Sequence, residues 1–225
     1  MVMGTASTMA ALAEAMGMML PGGAAIPAVM ADRRRHAEAT GRAVVAAIQK
    51  DLSPSRVLSK HSFENAIRVL MAIGGSTNAI IHLTAIAKRI GIQLTLADFD
   101  RIGDQTPVLV NLKPSGKYYM EDLAKSGGIP TVMKELEASL HCQATTINGK
   151  TLGENLMEVP SPPEWQDVIK TRNDPLLEEK GLTCLFGNLA PNGAIIKRSA
   201  ASPHLLQHRV PAVVFTSIED LHNRI

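Results

Sequence analysis

Apolar residues recur every three to four positions through most of the first half of the chain. This spacing predicts a helix over about 5–20, ended by Pro21-Gly22-Gly23, and a second helical stretch after Pro27 that continues to about Lys50. The Ala-rich segment 43–48 of the second stretch should pack tightly against neighbouring elements. Helices are therefore expected to dominate this half of the chain.

Three further helices follow in the pattern. Ser59 or Ser62 can cap a helix that ends at Gly74-Gly75, and Ser76-Thr77-Asn78 opens the next one. The segment 95–98 begins with Thr and ends with Asp, which is the spacing of a capping box for a short helix. The polar residues before each apolar stripe thus mark where the helices begin.

The character of the chain changes in its last third. A short apolar run at 108–110 predicts a buried strand, and helical spacing resumes over 119–140. Beyond His141, β-prone and turn residues replace the helical spacing, and the Pro-rich stretch 160–163 is typical of a linker. The final third is therefore expected to be built mainly from strands.

This change predicts a domain boundary near residue 160, with one domain over 1–160 and a shorter one over 161–225. The shorter domain should contain three strands, at 182–186, 194–197 and 212–215. Ser217 can cap a short helix at the end of the chain.

Composition supports helix packing and excludes one class of partner. Aromatic residues make up 3% of the 225 residues and hydrophobic residues 45%, so aliphatic side chains and 11 Met must build the core. The net charge is +2 without a long basic stripe, which argues against a nucleic-acid partner. The compact run Arg33-Arg34-Arg35-His36 is interpreted as a solvated helix face, with an anion site as the minor alternative.

The stretch 9–31 carries one charged residue, Glu14, and has the composition of a signal peptide or membrane span. Pro21-Gly22-Gly23 divides it into pieces too short to cross a bilayer, and no basic region precedes it. We therefore predict two buried core elements and no membrane partner. Cys142 and Cys184 form no pair motif, which favours a cytoplasmic location and argues against a disulfide or structural zinc site.

Two helix starts have residues suited to ligand binding. Gly4-Thr5-Ala6-Ser7-Thr8 and Gly74-Gly75-Ser76-Thr77-Asn78 place small and hydroxyl-bearing residues where free backbone N–H groups and the helix dipole can hold an anion. The alternatives are an ordinary N-cap for the first segment and a helix–helix corner for the second. The candidate pocket residues are Gly4, Thr5, Ser7, Thr8, Ser76, Thr77 and Asn78.

Two weaker patterns remain. The turn 114–117 offers a hydroxyl on Ser115 and a cation on Lys117 near a substrate, but it lacks the spacing of a phosphate loop. His204 and His208 have the spacing of two metal ligands on one helix face, without an evident third ligand, so surface histidines are the preferred interpretation. No Ser, Cys or His stands in a recognisable nucleophile setting.

Seven blocks of sequence, in order along nearly the whole chain, carry a resemblance to a known family. They are Met3–Met9, 14–22, Phe63-Glu64-Asn65-Ala66, Gly74–Ala79, Leu112–Tyr118, Lys150–Asn155 and Gly187–Pro191. Together they resemble the dihydroxy-acid/6-phosphogluconate dehydratase family. Within that family, 4–9 and 195–202 are more similar to the pentonate (arabonate or xylonate) dehydratases than to the enzyme of branched-chain biosynthesis.

The resemblance implies an α/β fold, in which residues 1–160 are the helix-rich remainder of an N-terminal α/β domain. Residues 161–225 would then supply the first strands of a C-terminal β-barrel-like domain. It also implies dehydration of a 2,3-dihydroxy sugar acid, a small-molecule substrate, to a 2-keto-3-deoxy acid by an intact parent that is a homo-oligomer. That parent would use an iron–sulfur cluster, 2Fe–2S rather than 4Fe–4S, as Lewis acid on the C3 hydroxyl. Mg²⁺ would hold the carboxylate and C2 hydroxyl, and a serine alkoxide would take the C2 proton.

The sequence departs from the family pattern at the catalytic residues. The third cluster cysteine would lie immediately before Met1, and the other ligands and the base serine belong to segments outside the chain. Cys142 and Cys184 match none of the cluster positions. We therefore expect an internal fragment that supplies pocket walls but no catalytic or metal-binding residue, holds no cofactor and is inactive alone.

Two alternatives to this reading remain open. One is a dihydroxy-acid dehydratase of branched-chain amino-acid biosynthesis. The other is a non-catalytic remnant that binds a small acid or a partner protein.

Overall fold

The computed structural model describes residues 1–225 and consists of ten α-helices and one two-stranded sheet. The helices are α1 (Thr5–Ala15), α2 (Ala31–Gln49), α3 (Pro54–Val57), α4 (Lys60–Ala72), α5 (Asn78–Arg89), α6 (Leu96–Gly103), α7 (Met120–Lys125), α8 (Gly128–Glu135), α9 (Leu152–Met157) and α10 (Ile218–Arg224). The antiparallel strands are β1 (Leu182–Leu185) and β2 (Ala194–Lys197). Short 3-10 turns lie at Glu137–Ser139, Arg198–Ala200 and Pro203–Leu205.

Helix α4 lies at the centre of the core because most of its surface is apolar. Phe63, Ile67 and Leu70 are fully buried, and α1, α5, α6 and α8 pack around the helix. Burying an apolar side chain of this size contributes about 1.5–3 kcal/mol. The packing of α1 and α5 against the same helix brings the two predicted ligand-binding helix starts into one region of the fold.

Three predicted helix caps are confirmed. The Ser59 hydroxyl accepts the N–H of the third helical residue of α4 at 3.3 Å. Thr95 and Asp98 form the predicted reciprocal capping box at the start of α6. The Ser217 hydroxyl accepts the Asp220 N–H at 3.1 Å at the start of α10. These caps depend on local chemistry alone, which is why the sequence predicts them well.

Two predicted helices are shorter in the structure because glycines with positive φ interrupt them. The helix predicted over about 5–20 ends at Ala15, because Gly17 takes a left-handed φ of 80°. Beyond the helix end, the Gly17 carbonyl accepts the Ile147 N–H at 2.7 Å. The helix expected over 119–140 is divided into α7 and α8 by Gly127, whose φ is 100°. In both places a left-handed residue redirects the chain.

The apolar stretch 9–31 contributes one core helix instead of the two core elements predicted. Ala11 and Leu12 of α1 are buried. The segment after α1 forms turns, in which Ala25 is buried and Val29 is exposed. None of the helices combines the length and apolar character needed to cross a bilayer.

The prediction that segment 43–48 packs tightly is wrong. Val44, Val45 and Ile48 are 51%, 56% and 74% exposed, and Ala47 alone is buried on α2. No neighbouring element covers the outward side of this helix. The alanines therefore reflect helix propensity, which favours Ala on any face, and not close packing.

Two predicted strands are also corrected. The run 108–110 is buried but does not form a strand ladder. It is held by isolated bridges to Leu177 and Ile169, and the N–H groups of Leu109 and Val110 both donate to the Ala72 carbonyl. The segment 212–215 is largely exposed and pairs with no neighbour, and a strand without a partner is not stable. The strands predicted at 182–186 and 194–197 are confirmed as β1 and β2.

The α/β class is thus confirmed, with a helix-rich first part and the strands near the end of the chain. The division into 1–160 and 161–225 stays a prediction.

Candidate functional site

The two predicted helix starts meet through their hydroxyl groups. The hydroxyl oxygens of Thr5 and Ser76 lie 3.1 Å apart and share a hydrogen bond. The Asn78 side-chain amide donates to the Thr5 hydroxyl at 2.9 Å, and the Ser76 N–H donates to the Thr8 hydroxyl at 3.1 Å. Thr5, Thr8, Ser76 and Asn78 therefore form one polar cluster, which we call the helix-start cluster.

The close approach of the two helix starts depends on Gly75. A Cβ atom at this position would lie 2.7 Å from Cδ1 of Leu70 and 2.8 Å from Cγ2 of Thr8. Both distances are shorter than van der Waals contact, so any side chain here would push α1 away from the corner. The two glycines of this pair therefore have different roles. Gly75 allows close packing, and Gly74 allows a positive backbone φ of 55°.

The start of α1 leaves backbone donors available. The N–H groups of Thr5, Ala6 and Ser7 have no backbone acceptor, as is usual for the first turn of a helix. The Ser7 hydroxyl accepts the Gly4 N–H at 2.9 Å, so it acts as a cap. Free N–H groups at a positive helix end attract anions, and this end is partly exposed to solvent.

A cavity of about 210 Å³ lies beside the corner and shares Gly74 with it. Its polar wall includes Asn111, Ser115 and Ser199, and the hydroxyl oxygen of Ser199 is buried without a hydrogen-bond partner. The N–H of Met3 donates to the carbonyl oxygen of the residue that precedes the 114–117 turn, which ties this turn to the segment leading into α1. The cavity and the helix-start cluster thus lie next to each other.

The structure places Ser115 and Lys117, the two candidates from the 114–117 turn, in different surroundings. Ser115 lines the cavity. Lys117 does not line it: its ammonium lies 5.1 Å from the ring centre of Tyr118, and its N–H donates to the Asn111 side-chain oxygen at 2.8 Å. Thr77 caps α5 without a hydrogen bond from its side chain. Sequence reasoning missed Ser199 as a cavity residue, although it lies in the block 195–202 that carries part of the family resemblance.

The residues of this chain do not fit a metal centre. No three His, Cys, Asp or Glu side chains lie close enough together to hold a metal ion. The Cys142 thiol donates to the Glu137 carbonyl at 3.6 Å and the Cys184 thiol to the Leu96 carbonyl at 3.3 Å, on separate elements. Burial raises the pKa of both thiols, which disfavours the thiolate that binds iron.

The other charged patterns lie at the surface. His204 belongs to a short 3-10 turn and His208 to the segment after it, and both are exposed. The two histidines therefore do not share the face of an α-helix. Arg34 is exposed, and Arg35 forms an ion pair with Asp32 on α2, which fits the solvated-face interpretation. Arg33 and His36 do not fit it, because both are half-buried and the Arg33 guanidinium donates to the Ile26 carbonyl.

The Thr8 hydroxyl should be important for the stability of the helix-start cluster. Thr8→Val keeps the shape of the fully buried side chain but removes the acceptor of the Ser76 N–H. We expect a loss of about 1–2 kcal/mol, because an amide left without its acceptor must be desolvated or rehydrated. Urea unfolding would measure this loss in the free energy of unfolding. The exposed Thr40→Val on α2 is the matched control. Equal effects of the two substitutions would contradict the prediction.

Comparisons with known proteins cover almost the entire chain. The family model for the dihydroxy-acid/6-phosphogluconate dehydratase N-terminal region matches residues 1–155, and the model for the C-terminal region of the same family matches 167–225. An L-arabinonate dehydratase of Rhizobium leguminosarum bv. trifolii is 52% identical over 216 residues, which are 95% of this chain and 37% of that protein.

Two further relatives show the same coverage. A putative dehydratase IlvD1 of Rhizobium meliloti is 49% identical over 100% of this chain and 39% of its own length. A dihydroxy-acid dehydratase of Caldicellulosiruptor bescii is 45% identical over 98% of this chain and 40% of its own. The chain therefore spans about two fifths of the length of these curated relatives.

Proposed function

Because the chain belongs to the dihydroxy-acid/6-phosphogluconate dehydratase family, we propose that it forms part of a hydro-lyase acting on a 2,3-dihydroxy sugar acid. The product is a 2-keto-3-deoxy acid. The observation that carries this proposal is the helix-start cluster, in which two threonines, a serine and an asparagine meet beside a cavity. The 52% identity to an L-arabinonate dehydratase supports a sugar acid as the substrate.

The residues of this chain bind and orient the substrate. The free N–H groups at the start of α1 suit the carboxylate, since both the helix dipole and the donors favour negative charge. Asn111, Ser115 and Ser199 offer amide and hydroxyl groups to the hydroxyls of a sugar acid. Holding the substrate in one orientation lowers the entropic cost of the reaction that follows.

The overall reaction removes the C2 proton and the C3 hydroxyl as water, leaving an enol that tautomerises to the keto acid. We assign neither bond-breaking step to the residues of this chain. The iron–sulfur cluster and Mg²⁺ expected from the resemblance are proposed for the whole protein only. Its assembly as a homo-oligomer and its cytoplasmic location stay predictions.

A second candidate is a dihydroxy-acid dehydratase whose substrate carries a branched aliphatic chain. The apolar wall of the cavity favours this alternative, because it is formed by Ile73, Val108, Val110, Leu112, Leu176 and Leu177. Such a wall suits methyl groups better than hydroxyls. The 45% identity to a dihydroxy-acid dehydratase also supports it.

Calorimetric titration of the 225-residue protein tests the binding role and separates the two candidates. We expect L-arabinonate to bind more tightly than a branched aliphatic 2,3-dihydroxy acid. Ser115→Ala should weaken the binding by up to about tenfold, since it removes one of the hydroxyl groups that line the cavity and one hydrogen bond to a polyhydroxylated ligand contributes up to about 1.5 kcal/mol. The exposed Thr40→Ala on α2 should leave the binding unchanged.

The opposite order of affinities would favour the branched-chain alternative. Binding of neither acid would contradict the substrate-binding role and leave a remnant that serves a partner protein. In a separate assay with added iron, sulfide and Mg²⁺, we expect no 2-keto-3-deoxy acid from this chain alone. Turnover there would show that its own residues complete the catalytic site.

A further inference from the structure

Lys180 is a charged residue that lies between two carboxylates at the end of α6. Its side chain is 11% exposed, and its ammonium nitrogen lies 2.6 Å from an oxygen of Asp100 and 2.6 Å from an oxygen of Asp104. Burial opposes the charged form, but the hydrogen bonds to the two carboxylates outweigh it and raise the pKa of Lys180. We call these three residues the Lys180 clamp.

The aliphatic stem of Lys180 reaches the carboxylates by crossing α6 at Gly103. A Cβ atom at Gly103 would lie 3.0 Å from Cδ and 3.4 Å from Cβ of Lys180, which is tighter than ordinary contact. Gly103 is itself buried, so the stem covers it. The absence of a side chain at this position leaves the space in which the stem packs. Shape as well as charge therefore fixes the position of Lys180.

The clamp also holds strand β1 against α6. The Cys184 N–H donates to the same oxygen of Asp100 at 3.3 Å, and the Cys184 thiol donates to the Leu96 carbonyl at 3.3 Å. Leu182 of β1 is buried, and the strand packs against α6. Asp100 thus serves both Lys180 and the strand that follows it. The hairpin formed by β1 and β2 is docked on α6 through this carboxylate.

A row of contacts connects the clamp to the cavity of the candidate functional site. The backbone of Gly181 packs against Gly74, since a Cβ at Gly181 would lie 3.1 Å from the Gly74 Cα. The Gly181 carbonyl accepts the Arg198 N–H at 3.1 Å, and the Arg198 side chain forms an ion pair with Glu179. Ser199 is the next residue and lines the cavity. The position of Ser199 therefore follows that of segment 179–181.

The rest of the cavity wall is held independently of the clamp. The N–H groups of Leu176 and Leu177 both donate to the Val108 carbonyl, at 2.9 Å and 3.2 Å. The other lining residues lie in segments 73–74 and 108–116, which come before the hairpin. Ser199 is thus the lining residue that the hairpin carries. The cavity has one fixed wall and one wall that depends on docking.

We infer that Lys180 is a positioning residue that closes the cavity by docking the β1–β2 hairpin, and with it Ser199, against α6 and Gly74. Lys180 does not line the cavity, so it acts on a bound acid only through the hairpin. An acid that contacts both walls favours the docked hairpin, and by reciprocity the docked hairpin favours the acid. This linkage rests on the proposed function, whereas the docking role of Lys180 does not.

Alkylation of Cys184 by iodoacetamide measures the docking without a ligand. Lys180→Met leaves two carboxylates without their cation, so we expect the undocked population and the rate of Cys184 alkylation to rise about tenfold. Cys142, on a separate element, should keep its rate in the same sample, as peptide mass spectrometry can show. Lys150→Met is the matched control, because it removes an exposed ion pair, the one with Glu158.

Two results of this experiment would overturn the inference. One is an unchanged Cys184 rate in Lys180→Met. The other is equal acceleration at Cys142 and Cys184, which would indicate general destabilisation and not local undocking. Asp104→Asn removes one charge of the clamp at an exposed side chain and should raise the Cys184 rate by a smaller factor. If Lys180→Met fails to fold, the rates in Asp104→Asn decide.

L-Arabinonate tests the linkage between docking and binding. A saturating concentration should slow Cys184 alkylation in the original protein, and calorimetry should show weaker binding to Lys180→Met than to Lys150→Met. Binding to the original protein without any change in the Cys184 rate would overturn the linkage. If the original protein does not bind L-arabinonate, the proposed function fails, and the alkylation rates measured without ligand still decide the docking role of Lys180.

Discussion

Glu14→Gln should remove most of the change in stability that the protein undergoes between pH 4.5 and about pH 7. Glu14 is 3% exposed on α1, and its two carboxylate oxygens accept the N–H groups of Gly22 at 2.7 Å and Ala24 at 2.8 Å. Burial raises the pKa of this carboxyl from 4.5 to about 7, against the opposing effect of the two hydrogen bonds. The folded protein therefore holds a proton that the unfolded chain releases at lower pH.

The direction of the effect follows from this difference in proton binding. Between pH 4.5 and about 7 the folded state binds more protons at Glu14 than the unfolded state, so the free energy of unfolding falls as the pH rises. The contribution is fully present below pH 4.5 and lost above about pH 7. A shift of this size corresponds to about 3 kcal/mol, at 1.36 kcal/mol for each pKa unit.

Urea unfolding at several pH values would measure the effect as the difference between Glu14→Gln and the original protein. Other groups largely cancel in that difference, including His36, whose pKa is lowered by burial and by Arg33 and whose contribution has the opposite sign. The exposed Glu38→Gln on α2 is the matched control and should follow the profile of the original protein. A Glu14→Gln profile parallel to that of the original protein would refute the prediction.

Gly75→Ala should both destabilise the protein and separate the two helix starts. The added Cβ would lie 2.7 Å from Leu70 and 2.8 Å from Thr8, and both are held in the packed interior. Overpacking of this kind costs about 1–3 kcal/mol. Because the Ser76 N–H must move with the corner, its hydrogen bond to Thr8 should lengthen or break, and sugar-acid binding should weaken with it.

Gly41→Ala provides the control for this substitution. Gly41 lies within the exposed helix α2, and no atom lies within 4 Å of a Cβ placed there. Alanine has a higher helix propensity than glycine, so this variant should gain up to about 1 kcal/mol. The same chemical change is thus expected to act in opposite directions at the two sites. Similar unfolding midpoints for the two variants in urea would disprove the steric role of Gly75.

Helix starts were predictable from the sequence because capping depends on residues only three positions apart. Ser59, Thr95 and Ser217 each cap the helix that follows, as their spacing predicts. Helix ends were less predictable. The sequence pattern placed the end of the first helix at Pro21, whereas Gly17 ends it with a φ of 80° and the Met18 N–H donates back to the Ala13 carbonyl.

Exposure was the property that local patterns described least well. The segment 43–48 has the composition of a buried helix, yet Val44, Val45 and Ile48 are exposed because nothing packs over α2. Arg68 is the converse case, because an arginine is ordinarily solvated and the local sequence gives no sign that this one is buried. It is buried because α4 is surrounded by other helices on most of its surface.

The sequence by itself determined the chemistry of the candidate site and the family to which the chain belongs. Gly4–Thr8 and Gly74–Asn78 were identified separately as helix starts with small and hydroxyl-bearing residues, because composition and spacing are local properties. Only the tertiary structure decided that Thr5 and Ser76 share a hydrogen bond, that Ser199 joins the cavity and that Lys117 does not. Those outcomes depend on how α1 and the corner before α5 pack against α4, and packing between segments about 70 residues apart is set by the shape of the whole core.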